Sequence, residues 1–131
     1  MNQPPPRKPR ILMIDDDPVV LEVCRERLAA AGYEVMIRDQ AIGTSRLISQ
    51  WLPDILLLDV MMPALSGNDL AVILKKSVLT KKLHIILHSS KPDAELSGLI
   101  AQTGALGAIQ KTADDAEFTS SFRSLAQRVG L

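Results

Sequence analysis

Two short apolar runs in this chain end abruptly on carboxylates. Ile11-Leu12-Met13-Ile14 meets Asp15-Asp16-Asp17, and Ile55-Leu56-Leu57-Leu58 meets Asp59. Four successive apolar residues with no polar alternate read as a strand covered on both faces, the kind found in a parallel sheet between helical layers. A charge at the end of such a strand needs a reason, because burying it without a partner is costly. After Asp59, Pro63 and Ser66-Gly67 shape a loop that would hold the acid at an edge open to solvent, a metal or a substrate.

The stretches between these runs alternate in type. Residues 1–9, with Pro4-Pro5-Pro6 and Arg7-Lys8-Pro9, favour extended solvated backbone, so a disordered leader is expected there and a folded domain over residues 10–131. Asp17-Pro18 has the form of an N-cap followed by the first helical residue, and the helix it opens stops at Gly32. Residues 33–38 read as a second strand, and residues 42–52 as a helix using Ile42, Leu47, Ile48 and Leu52. Asn68 can cap a helix over residues 69–78 with Leu70, Ile73 and Leu74 inward; the lysine pairs at 75–76 and 81–82 read as solvated surface. Residues 83–87 form a fourth strand, Pro92-Asp93 opens a helix to Thr103, and residues 105–110 form a fifth strand ending at Lys111. Asp114 then starts a last helix with Phe118, Phe122, Leu125 and Val129 as its apolar row. Five strands alternating with five helices predict an α/β fold: a doubly wound, five-stranded parallel sheet with helices on both faces.

With 131 residues, 47% of them apolar, the chain suits one domain with a sizeable core. Fifteen basic residues balance fifteen acidic ones, which argues against a dedicated nucleic-acid binder or a membrane-surface protein. The lone Cys24 has no internal disulfide partner and lies in the apolar row Val20, Cys24, Leu28; with no signal peptide or long apolar segment, a cytoplasmic protein is expected. No G-x-G-x-x-G follows a strand, no P-loop is present, and no Cys/His cluster has metal-ligand spacing.

In an open parallel sheet, ligands bind beyond the carboxyl ends of the strands. This sequence puts Asp15 and Asp16 after strand one, Asp59 after strand three, Ser89 after strand four and Lys111 after strand five. Three carboxylates at one edge would repel one another unless a cation neutralised them, and oxygen ligands without nitrogen or sulfur favour Mg²⁺. A carboxylate can act as nucleophile toward a phosphoryl group, while a lysine and a hydroxyl hold the phosphoryl oxygens. His84 and His88 read as strand packing or edge residues.

The segments ILMIDDDP, PDILLLDVMMPALSG, IILHSS and GALGAIQK together closely resemble the receiver domain of two-component response regulators, over about residues 10–129. The resemblance implies a flavodoxin-like sheet of order 2-1-3-4-5. It makes Asp59 the phosphoacceptor, Asp15 and Asp16 the Mg²⁺-site acids, Lys111 the phosphate-pairing cation and Ser89 the switch hydroxyl. Met61 falls where a backbone carbonyl completes the metal site. The implied donor is a sensor histidine kinase or histidine phosphotransfer protein. The implied output is a downstream protein bound on the face of the fourth helix, fifth strand and fifth helix, by a monomer or a phosphorylation-linked dimer. Catalysis would be confined to the domain's own phosphorylation and dephosphorylation, in a stand-alone receiver or a piece of a larger regulator.

The chain departs from the family pattern at two positions. Thr112 follows the lysine where proline is usual, and Ala108 occupies the place of an aromatic that reports the switch. These departures lend some weight to an alternative, a phosphate-independent pseudo-receiver acting as a docking module, against which the presence of Asp15, Asp16, Asp59, Ser89 and Lys111 together argues. An Mg²⁺-dependent phosphohydrolase is a weaker reading, since the position two after the nucleophile is Met61 and not a second acid.

Overall fold

The computed structural model describes residues 7–60, 83–90 and 93–131. In chain order these form β1 (Arg10–Ile14), α1 (Pro18–Ala30), β2 (Glu34–Arg38), α2 (Thr44–Trp51), β3 (Ile55–Asp59), β4 (His84–Ser89), α3 (Asp93–Thr103), β5 (Gly107–Gln110) and α4 (Asp115–Gln127). The strands make one sheet of order β2-β1-β3-β4-β5, every neighbouring pair parallel. The strand order and the α/β class agree with the sequence reading, while four helices, not five, fall among the described residues. The helix expected over residues 69–78, the loop of residues 61–67 and Met61 lie outside them.

Strand periodicity divides the core. Successive side chains on a strand point to opposite faces. On one face Ile11, Met13, Ile55, Leu57, Ile86 and Ile109 pack against Leu21, Cys24 and Leu28 of α1 and Phe118, Phe122 and Ala126 of α4. On the other face Leu12, Ile14, Leu56, Leu58, Ile85 and Leu87 pack with Ala41 and with Ile48 of α2. Each large apolar side chain fully buried this way contributes about 1.5–3 kcal/mol, so the unbroken apolar runs are the cause of the sheet's place at the centre. β2 is an edge strand, and its half-buried residues explain why its pattern alternates instead of running apolar.

The helix ends follow local chemistry. Asp17 caps α1, its carboxylate accepting from the Val19 and Val20 N–H groups, with Pro18 at the first helical position. Gly32 turns the chain out of α1 at φ +100°, a conformation that L side chains disfavour. Two apolar rows differ from their sequence reading. α2 is shorter than the predicted span, so Ile42 and Leu52 fall outside it and are exposed. The buried stripe of α4 runs Phe118, Phe122, Ala126, spacing of four residues, with Leu125 only partly covered. Ordered contacts begin before β1: the Pro9 carbonyl accepts from the Glu34 N–H, and Arg7 pairs with Asp54.

Candidate functional site

Because all five strands run the same way, their carboxyl ends share one edge, and the sheet carries its acids there. Asp15 directly follows β1 and is fully buried; Asp59 is the last residue of β3 and 1% exposed; Asp16 is open to solvent. One carboxylate oxygen from each of the three lies within 4.8 Å of the others. The backbone fixes Asp15 firmly, its N–H donating to the Arg38 carbonyl (3.1 Å) and its Oδ1 accepting from the Asp17 N–H (2.9 Å).

Lys111, one residue beyond β5, reaches this cluster. Its N–H donates to the Ser89 carbonyl at 2.9 Å, which ties the residue to the end of β4. Its Nζ lies 3.0 Å from Asp15 Oδ2 and 3.5 Å from Asp59 Oδ2. Burial opposes the charge on this ammonium, but the contacts with Asp15 and Asp59 override it and raise its pKa above the usual lysine value. Lys111 is therefore protonated at neutral pH. Ser89, the last residue of β4, is fully buried one position beyond His88, which is the register partner of Asp59. Ala108 pairs with Leu87 in register and packs on the α2 side of the sheet.

Among the described residues, the ammonium of Lys111 faces three carboxylates. Asp15 Oδ2 sharpens the point: it is buried, and the ammonium 3.0 Å away is shared with Asp59, which leaves lone-pair capacity at the cluster. Oxygen donors alone, two of them buried, form the donor set that suits a hard divalent cation such as Mg²⁺. Asp15, Asp16 and Asp59 are the residues that would hold it.

Two side chains beside the cluster went unremarked as site residues in the sequence. His88 is buried against the edge of the Phe118 ring (5.7 Å between centroids), and neither ring nitrogen has a hydrogen-bond partner. Burial, helped by the nearby Lys111 charge, pushes its pKa down to about 4, so the ring is neutral near pH 7. Arg27 of α1 crosses to the loop after β5. Its Nη1 donates to the Thr112 carbonyl (3.1 Å), its Nε to Asp115 Oδ1 (2.6 Å), and its guanidinium lies over Phe118 at 5.2 Å. The sequence signal was a basic residue one position before Leu28 in the buried row of α1. Cys24 is buried, and burial raises its pKa to about 11, which leaves it an inert packing residue.

An Mg²⁺-suited acid triad with a lysine, at the carboxyl edge of a 2-1-3-4-5 sheet, is the layout of a signalling receiver, and comparison with known proteins agrees. This chain belongs to the response regulator receiver domain family, which it matches over residues 11–123. The phosphate regulon transcriptional regulatory protein PhoB of Pseudomonas aeruginosa is 32% identical over 122 residues, covering 92% of this chain and 52% of that protein. Response regulator PleD of Caulobacter vibrioides is 30% identical over 120 residues, covering 90% of this chain and 26% of that protein. The chain thus spans about half, or less, of the length of these relatives. Among solved structures, chemotaxis protein CheY4 of Vibrio cholerae superposes with a TM-score of 0.77 at 18% identity, covering 90% of this chain and 98% of that one. A CheY-like receiver domain protein of Methanospirillum hungatei gives 0.75 at 23% identity, with 92% and 96% covered. At those identities the likeness speaks for the fold alone. Receiver domains of response regulators serve two-component signalling, bind Mg²⁺ through acidic residues and act between histidine kinases and downstream effectors. Among the described residues no helix is long and apolar enough to cross a membrane.

Proposed function

We propose that this chain is a phosphoacceptor receiver in which Asp59 takes a phosphoryl group from a phosphohistidine of a sensor kinase or histidine phosphotransfer protein. The observation that carries this reading is the meeting of Asp15, Asp16 and Asp59 within 4.8 Å, with Lys111 Nζ 3.0 and 3.5 Å from two of them. An Asp59 carboxylate oxygen attacks phosphorus, the P–N bond to the donor imidazole breaks, and an acyl phosphate results; water later attacks phosphorus and returns the carboxylate with inorganic phosphate. Mg²⁺, when bound, neutralises the acids and the phosphoryl oxygens, which otherwise repel the incoming donor. Asp15, Asp16 and Asp59 would hold it, and the Met61 carbonyl expected as a further ligand lies outside the described residues. Lys111 pairs with a phosphoryl oxygen, and the Ser89 hydroxyl donates to another.

The domain's chemistry is limited to its own phosphorylation and dephosphorylation, in the cytoplasm where phosphohistidine donors are made. Phosphorylation then favours a second arrangement of α3, β5 and α4, and a downstream protein reads that face. With Ala108 in place of an aromatic, the signal passes through loop and backbone shifts. A phosphate-independent docking module has no use for a buried acid pair sharing one lysine, so the cluster speaks against that alternative.

Incubation with Mg²⁺ and acetyl phosphate should add one acid-stable, base-labile phosphoryl group, seen by intact mass, and Asp59→Asn should abolish it. No adduct in the wild type, together with no response to beryllofluoride, would overturn the reading. An adduct that survives Asp59→Asn would overturn the assignment of the site.

A further inference from the structure

Lys111 is useful to the site only while its loop is held; its own N–H is tied to the Ser89 carbonyl (2.9 Å) and Thr112 Oγ1 donates to Glu117 Oε2 (3.4 Å), which leaves the backbone carbonyl after the lysine to be held from elsewhere. Residues 111–114 join β5 to α4. Within the loop, the Asp114 N–H donates to Thr112 Oγ1 (3.1 Å), and Asp114 Oδ1 caps α4 by accepting from the Glu117 N–H (3.0 Å). These bonds shape the far half of the loop and the helix start. Thr112, directly after the lysine, has none of the φ restriction that a proline would impose there.

The contact that spans the whole loop comes from α1. Arg27 takes the Thr112 carbonyl with one arm of its guanidinium and the Asp115 carboxylate with another, so one rigid planar group grips both ends of the segment that follows Lys111. The group is itself anchored: its side chain is 8% exposed, although Asp115 is 79% exposed, and its face rests on Phe118, a fully buried core residue. A fork with two fixed bonds and a stacked face has little freedom left, unlike a surface ion pair of two mobile chains.

We infer that Arg27 is a positioning residue for phosphoryl transfer: by clamping the Thr112 carbonyl and the Asp115 carboxylate it holds the Lys111 ammonium against Asp15 and Asp59. The inference rests on Asp59 being the phosphoacceptor. Arg27 touches no reacting atom; it acts through Lys111. Losing the clamp lets the ammonium drift from the carboxylates, with two consequences of opposite sign. Phosphoryl oxygens lose a placed cation, and Mg²⁺ loses a competitor for the same carboxylate oxygens.

The test compares the full chain with Arg27→Leu, Arg27→Lys, Asp115→Ala, Lys111→Ala and the double variant Arg27→Leu/Lys111→Ala. Phosphoryl incorporation from acetyl phosphate at saturating Mg²⁺ and Mg²⁺ affinity by calorimetry are both read. Arg27→Leu should slow incorporation about tenfold, since a small misplacement of a charged group is costly in transfer chemistry. Arg27→Lys should recover little, because an ammonium cannot make the fork. Asp115→Ala, which leaves the core untouched, should slow it about threefold and keeps the test decisive should Arg27→Leu fold poorly. In the Lys111→Ala background, Arg27→Leu should add nothing. Mg²⁺ should bind Arg27→Leu about threefold more tightly than the wild type. Additive slowing in the Lys111→Ala background, or a joint fall in rate and Mg²⁺ affinity, would overturn the inference and mark Arg27 as merely structural. A wild type that binds Mg²⁺ but takes no phosphoryl group overturns the phosphoacceptor reading instead; an unchanged Mg²⁺ affinity in Arg27→Leu then also removes the hold on Lys111.

Discussion

Asp54 and Asp59 stand at the two ends of one strand, and the chain treats them in opposite ways. At the amino end Asp54 is matched: its carboxylate receives two bonds from the Arg7 guanidinium, at 3.0 and 3.2 Å, and one from the Arg10 N–H at 2.7 Å. Its backbone joins the sheet as well, donating to the Arg10 carbonyl and accepting from the His84 N–H. At the carboxyl end Asp59 is buried beside Asp15 and Asp16, and Lys111 is shared between it and Asp15. One acid is used to start a strand; the other is kept in a charge imbalance that a cation can relieve. Surplus charge at a fold's edge, and not acidity as such, is what separates a site from a structural contact.

That contrast can be broken most directly by exchanging the two acids' fates. Asp59→Asn should lose phosphoryl incorporation entirely while Asp54→Asn stays within about twofold of wild type; equal losses by intact mass would erase the distinction. The carboxyl edge also carries the unmet imidazole of His88. Between its ordinary pKa of 6.5 and its folded value of about 4, the unfolded chain binds a proton that the folded chain does not. Stability attributable to His88 is therefore complete above pH 6.5 and lost as pH falls toward 4, by about 3 kcal/mol. Urea midpoints should show His88→Leu with a shallower acid slope than wild type across that window, and a parallel slope would refute it. Saturating Mg²⁺, at about one hundred times its Kd, should raise stability by about 2.7 kcal/mol, and Asp59→Asn should forfeit most of that gain in thermal melts. Smallest are two effects of opposite sign without Mg²⁺. Asp54→Ala should cost about 2 kcal/mol through its lost hydrogen bonds, whereas Asp59→Asn should stabilise by about 1 kcal/mol by easing repulsion. Denaturation of both variants that moved in the same direction would contradict the comparison.

The sheet was legible because strands buried on both faces leave no polar alternate, and the site was legible because acids at the ends of such strands have no structural excuse. β1 and β3 are the clearest instances. Helix rims were harder to read. Arg27 is one position before a buried leucine, and its partner Asp115 is 88 residues further on, a pairing that no local period encodes. Ala126 was passed over in favour of larger neighbours, although it is fully buried in the core with Phe118 and Phe122. His88 looked like packing, which it is; only the assembled core reveals that the packing leaves both nitrogens without partners.

The uniform strand direction has a last consequence for the life of the chain. Asp15, Asp59 and Lys111 stand at the ends of three strands and are dozens of residues apart in sequence, so no fragment of the fold carries the whole set. During synthesis the two acids emerge well before the lysine, and β5 must dock beside β4 before the set is complete. A half-made sheet thus holds an incomplete set of charges, and the assembled edge becomes a certificate that folding has finished.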